Sequence, residues 1–290
     1  MNNKRCHQGR KVCSRGRVRW VAAALIAVIV LFASIPAYAA IGASKVTEIT
    51  TTSDLSSYSF PSATYSNNVL YICFTGTSYS SQTAPTVTSV SGAGLDFTEI
   101  LPAGGLPYST GYRRIQAWRA LATGGATTGV VTITLSGPTL PSAGMGAVII
   151  AVTGTKTSGT NGADAIANYA TAITSSTSLE VPMAAFADSD NRPLAFFGHR
   201  YAETTYNETG YTELYEGTHS SVSMGYEAEW HETVADTTPS VTWDNAGYGE
   251  SGGIALEIAA EGGGVVNPCG TNLVMVVGTD APSSSYDSAK

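Results

Sequence analysis

The strongest constraint on this chain is that it writes one series of segments twice. Gly111–Ala122 (GYRRIQAWRALA) and Met224–Val234 (MGYEAEWHETV) are both strand-like, with a tryptophan at nearly the same place, Trp118 and Trp230. Asn68–Gly76 (NVLYICFTG) matches Arg192–Arg200 (RPLAFFGHR), and Leu95–Leu101 (LDFTEIL) matches Tyr211–Glu216 (YTELYE). Val130–Leu135 answers Ser240–Trp243, and Gly146–Val152 (GAVIIAV) answers Gly253–Ala259 (GIALEIA). Ile49–Pro61 (ITTTSDLSSYSFP) resembles Ile173–Pro182 (ITSSTSLEVP). Self-similarity of this kind predicts an internal duplication of about 110 residues, with repeats at about 46–154 and 171–260.

Between 40 and 261 the chain reads as all-β. Short runs rich in Val, Ile, Thr, Tyr and Phe alternate with Gly, Ser, Thr and Asn loops, and no segment sustains a capped helical period. Each repeat is expected to supply about five strands, or about ten in all. A set of that size buries its apolar faces as two packed sheets, so a β-sandwich or jelly roll is the expected fold. One pseudo-symmetric sandwich is favoured over two small ones.

The first 39 residues carry a basic head (Lys4 to Arg19), an apolar run (Trp20–Ile35) and an A-x-A ending at Ala39. That is the pattern of a secretory signal peptide, and the apolar run of about 15 residues is short for a membrane span. The expectation is a secreted, extracellular protein with no stable membrane insertion after cleavage. Residues 40–290 then hold eight basic and 22 acidic residues, a net charge of −14. So acidic a chain is not expected to bind nucleic acid, which needs clustered Lys and Arg. The acid is lopsided: residues 171–261 hold 15 acidic residues and two basic ones, Arg192 and Arg200. A specific task therefore belongs in the second half. Cys6 and Cys13 leave with the signal, and Cys73 reads as a small core residue.

Glu261-Gly262-Gly263-Gly264 opens a linker expected to span 262–271. Asn272–Gly278 (NLVMVVG) is a continuous apolar run of the kind that suits a buried parallel strand, so 272–290 read as the start of a truncated α/β domain, or as a tail. Gly94–Ile100, Arg113–Ala120 and Val131–Ser136 resemble the β-sandwich modules of secreted bacterial multidomain surface proteins and of phage tail-fibre-like proteins. Asn272–Asp287 is similar to the opening of a flavodoxin-like α/β domain. The resemblance covers residues 46–287 and implies a surface-exposed binding or structural module. It carries over no site residues.

Three motifs bear on chemistry. Gly249-Glu250-Ser251-Gly252-Gly253 fits G-x-S-x-G, but a strand rather than a helix follows it and no partner histidine segment exists, so a tight turn explains the glycines. Glu227-Ala228-Glu229-Trp230-His231-Glu232 is similar to the E-x-D-x-x-E of laminarinase- and lichenase-type jelly-roll glycosidases. Retaining chemistry needs two carboxyls about 5–5.5 Å apart. Glu227 and Glu229 share a strand face, whereas Glu232 has the wrong parity unless a bulge corrects it. The simpler reading is a solvent-facing acidic strand without catalysis, with Glu227, Glu229 and Glu232 as the catalytic alternative. Asp188-Ser189-Asp190-Asn191 opens like a calcium loop but lacks its glycine and terminal glutamate, leaving Asp188 and Asp190 as candidate ligands of an irregular Ca²⁺ site. His199, His219 and His231 lack zinc-like spacing.

Tyr201, Tyr206, Tyr211, Tyr215, Tyr226 and Trp230 crowd the second repeat, with Glu203, Glu213 and Glu227 among them. Aromatic rings stack on apolar sugar faces and carboxylates accept hydroxyl protons. Tyr201, Glu203, Tyr206, Tyr211, Glu213 and Tyr226 are therefore the candidate ligand residues of a non-catalytic module, and polysaccharide or cell-wall glycan is the expected partner. A glycoside hydrolase using Glu227 and Glu232 is the alternative, and a structural subunit or spacer of a surface fibre the third reading.

Overall fold

Alternating apolar residues between glycine- and serine-rich loops produce strands throughout the computed structural model, which describes residues 40–53, 55–79, 82–137, 144–220, 223–244 and 250–262. In chain order the strands are β1 (Gly42–Thr51), β2 (Ser57–Ser59), β3 (Ala63–Tyr65), β4 (Leu70–Ser78), β5 (Val87–Gly92), β6 (Leu95–Asp96), β7 (Thr98–Glu99), β8 (Leu106–Tyr108), β9 (Arg113–Leu121), β10 (Thr127–Gly129), β11 (Val131–Leu135) and β12 (Gly144–Thr153). The second half adds β13 (Ile166–Thr174), β14 (Ser178–Glu180), β15 (Arg192–His199), β16 (Thr205–Asn207), β17 (Thr212–His219), β18 (Met224–Trp230), β19 (Ser240–Trp243) and β20 (Ser251–Ile258). Two three-residue 3-10 turns are the only helical pieces among the described residues. The signal segment (1–39) and the α/β start (272–290) lie outside the described residues, as does most of the linker.

The all-β expectation holds, and the sheet arrangement differs from the expected two sheets of ten strands. Two large antiparallel sheets run β1-β12-β4-β9-β7, with β8 also on β9, and β13-β20-β15-β18-β17. Smaller sheets run β2-β11-β5-β6, β14-β19-β16 and β10-β3. Four of the segment pairs matched in the sequence fall at the same place in the two orders: β4 with β15, β9 with β18, β11 with β19, and β12 with β20. The extra strands are mostly two or three residues long, too short to show an alternation that sequence could reveal.

Three apolar cores hold these layers. One lies between the large sheets and contains Phe74, Ile115 and Val148 from the first half with Phe196, Tyr226 and Leu256 from the second. The second lies between the first large sheet and β2-β11-β5, and the third between the second large sheet and β14-β19. β4, β18 and β20 are buried at every position, because a strand covered on both faces loses its polar side. Each half thus closes a small sandwich of its own, and the large sheets then pack face to face.

That face-to-face contact requires glycine. The ring of Phe74 stacks on Phe196 at 5.0 Å, and Phe196 on Tyr226 at 5.9 Å. Tyr226 lies flat on the first large sheet, where a Cβ added to Gly76 would stand 2.1 Å from its ring and one on Gly146 2.4 Å from it. The ring is fully buried, so it cannot swing aside. Overpacking of this kind costs about 1–3 kcal/mol. Gly76→Ala should therefore lower the thermal midpoint by several degrees. An unchanged midpoint would mean that the sheets can part freely here.

Candidate functional site

Strand β18 lies between β15 and β17, and its period of two sends alternate side chains to opposite faces. Tyr226, Ala228 and Trp230 enter the core between the large sheets. Glu227 and Glu229 therefore point the other way, toward the outer sheet that carries β16 and β19. Across the ladder Glu227 faces Phe197 and Glu216, and Glu229 faces Ala195 and Glu213. Both glutamates are 0 % exposed. The expected solvent-facing acidic strand is thus a buried one, because β16 and β19 cover it.

The first half shows what these positions ordinarily hold. With Asn68–Gly76 matched to Arg192–Arg200, Cys73 answers Phe197 and Tyr71 answers Ala195. Their partners on the next strand are Trp118 and Ala120 in the first half, and Glu227 and Glu229 in the second. Trp118 and Ala120 pack in an apolar core with Cys73, whose thiol is buried and held protonated by that burial. Trp118 and Trp230 are therefore not equivalent. Matching them by sequence slips the register by three residues, and an odd slip exchanges the two faces of a strand.

The surroundings of the pair are acidic. Burial raises the Glu227 carboxyl to about 7; the neighbouring Thr205 hydroxyl pulls it down, and Glu213 and Glu216 push it up. Burial raises Glu229 to about 9, helped by the Glu227 charge and then by Glu208 and Asp236, while the Glu208 backbone opposes. Neither carboxylate closes a hydrogen bond of ordinary geometry among the described residues, and neither does Thr205 Oγ. The rim is better tied. The Thr205 N–H donates to Glu216 Oε1 (3.2 Å), Ser240 Oγ to Glu208 Oε2 (2.9 Å) and the Tyr211 hydroxyl to Asp236 Oδ2 (3.0 Å). Thr205, Glu208 and Asp236 carried no motif, and only the fold brings them here.

The other candidates are scattered. Glu232 is exposed beyond the end of β18, with its carbonyl accepting from Arg192 Nε at 2.9 Å. The bulge that could have corrected its parity lies in β17, between Glu213 and Tyr215, so Glu227 and Glu232 are not brought onto one face. Tyr226 is a core residue and Tyr211 is buried against His231 at 4.8 Å, so neither ring is free to meet a ligand. Tyr206 is 47 % exposed and donates to Asp244 Oδ2 at 2.9 Å. Tyr201 is half-buried with Arg200 over its ring at 5.8 Å, Glu203 is half-buried and Glu213 exposed. Asp188 Oδ1 accepts the Asp190 N–H at 2.9 Å in a turn before β15. Asn191 completes that turn by donating to Glu257, and no group of three or more Asp, Glu, His or Cys in metal-binding arrangement occurs among the described residues. Ser251 is buried at the start of β20, with Gly249 outside the described residues.

A carboxyl raised in the folded state binds its proton more tightly there than in the unfolded chain. The stability that Glu227 and Glu229 confer is then complete below about pH 4.5 and is lost as pH rises through about 7 and about 9. In metal-free buffer the thermal midpoint should fall steadily from pH 5 to pH 9. Glu229→Gln, a neutral isostere of the protonated acid, should match the parent at pH 5 and exceed it at pH 9. A parent whose midpoint is flat over that range would show the pair to be solvated.

No family model, curated protein or solved structure matches the chain, so a functional reading rests on this geometry and on the sequence.

Proposed function

We propose that this chain is a secreted, non-catalytic surface module that binds polysaccharide or cell-wall glycan through the β16–β17 edge of its second half. One observation carries the reading. Tyr206 presents a 47 % exposed ring on an edge strand, anchored through its hydroxyl to Asp244. The exposed carboxylates of Glu213 and Glu216 lie on the neighbouring edge, and the Tyr206 phenol is raised first by its bond to Asp244 and last by the Glu216 charge. An anchored ring beside carboxylates combines a stacking platform with hydroxyl acceptors. The repeated strand order supports an internal duplication of sandwich modules in which the second copy took on binding. The sequence pattern of residues 1–39 supports export.

A structural role in a fibre is the second reading, favoured by β13. This edge strand is nine residues long and bears no charge, and Tyr169 and Ile173 are exposed on it. Uncharged edges of that length pair readily with other chains. Its counterpart β1 carries the Lys45–Glu48 ion pair instead.

The test is binding of the full chain to polysaccharides and bacterial cell walls, with released sugar scored in the same wells. Binding without release is expected. Tyr206→Ala should weaken it about three- to tenfold, the value of one aromatic contact of about 0.5–1.5 kcal/mol, with the thermal midpoint unchanged. Absence of binding together with concentration-dependent self-association would replace this reading with the structural one.

A further inference from the structure

The second large sheet ends on one side in an edge without charge. β13 closes the order β13-β20-β15-β18-β17, and among the described residues it pairs only with β20. Its outward side therefore offers a row of unpaired backbone N–H and C=O groups. The strand (IANYATAIT) has no Lys, Arg, Asp, Glu, Pro or Gly. Edge strands are normally blunted by charge, by proline, by brevity or by a bulge. The register shift here lies between Ile166 and Asn168, which leaves Asn168–Thr174 regular.

Along that regular stretch Tyr169, Thr171 and Ile173 are exposed, while Ala170 and Ala172 between them turn in to the third core. Centred on Thr171, the exposed row is self-complementary. When a second copy runs antiparallel with Thr171 opposite Thr171, each Tyr169 ring lies opposite an Ile173 of the other copy. Aromatic–β-branched pairs and Thr–Thr hydrogen bonds are among the cross-strand pairs that stabilise a sheet. Registers centred on Ala170 or Ala172 set Tyr169 against Thr171 or Ser175 instead. One contact made twice about a two-fold axis is what a closed dimer requires.

Charge selects the same edge. Two copies of so acidic a chain repel each other, and the glutamates of this sheet lie on β17 and β18, at its other end. Exposed charges separated by more than about 8–10 Å are largely screened at physiological salt. The long edge β1 carries Lys45 and Glu48, and the edge β17 carries Glu213 and Glu216, so neither offers β13 an uncharged partner. We propose that β13 is a homodimer interface, in which two copies pair antiparallel about Thr171 and their five-stranded sheets become one continuous sheet. The join closes at two copies and does not propagate into a filament. A single strand pair buries little surface, so the dimer belongs among weak, concentration-dependent interfaces. β17 stays at the far end of each copy, and the dimer stands whether or not the Tyr206 edge binds sugar.

The experiment is light scattering of the full chain over a dilution series, with variants at the edge. The mass is expected to rise with concentration to twice that of one chain and to stop there. Thr171→Lys sets like charges face to face across the axis and should return the chain to a monomer. Its side chain is exposed, so the thermal midpoint of dilute protein should not change. Tyr206→Ala should leave the dimer intact. With Cys6, Cys13 and Cys269 changed to Ser, Thr171→Cys should oxidise to a disulfide-linked dimer. Residues paired across an antiparallel join have Cα atoms about 4.5 or 5.5 Å apart, within disulfide reach. Thr174→Cys, about 20 Å from its copy in this register, should not bridge. A single-chain mass at every concentration would overturn the proposal, including the case in which residues 272–278 of the same chain cover the edge. So would association that survives Thr171→Lys, or growth beyond two copies.

Discussion

The stack of Phe74 on Phe196, and of Phe196 on Tyr226, is the contact on which the rest of the structure depends. Each large sheet is apolar on both faces, so each must be covered twice. A small outer sheet built from the same half covers one face, and only the other half can cover the second. Gly76 and Gly146 leave the hollow that Tyr226 fills, and Gly198 and Gly252 leave one for Tyr108. Arg113 reinforces the join by donating to the Arg200 and Ser223 carbonyls across the boundary. Neither half could stand alone without exposing a continuous apolar sheet.

Against that shared frame, the two halves differ in what lies under their outer sheets. The first fills the space with Trp118, Ala120 and Cys73, which is ordinary packing. The second has Glu227 and Glu229 at the matching ladder positions, with Glu216 and Glu213 directly opposite. Like charges across a ladder destabilise it, and burial makes the repulsion stronger. A fold selected for stability alone would not retain this arrangement, and places where local rules are broken are where function is expected. The same contrast gives physical meaning to the uneven distribution of acid along the chain.

The all-β class was legible in the sequence because a strand announces itself through alternation, and similar segments announced themselves through recurrence. The matched segments occupy matched strands even though the number of sheets was misjudged. Strands such as β2, β6, β14 and β16 are too short to leave a pattern, and they help to build the outer layers. The site was less legible. The tyrosine-rich composition pointed to the second half, where Tyr226 is central to the core, Tyr211 is tied to Asp236, and Tyr206 keeps a largely open ring. Aromatic residues serve packing and recognition equally well, and composition does not distinguish the two.

The sequence by itself determined an all-β chain, its two parallel sets of segments and the concentration of acid in the second, since periodicity, recurrence and charge are properties of the string. Only the tertiary structure decided which face each residue occupies. A three-residue shift in matching Trp118 to Trp230 exchanges inside for outside, and the ladder register against β4 and β15 resolves it. Burial of Glu227 and Glu229 was likewise invisible, because it depends on β16 and β19 arriving from elsewhere in the chain to cover them. Solvent exposure is a property of the assembled layers, and no single strand carries it.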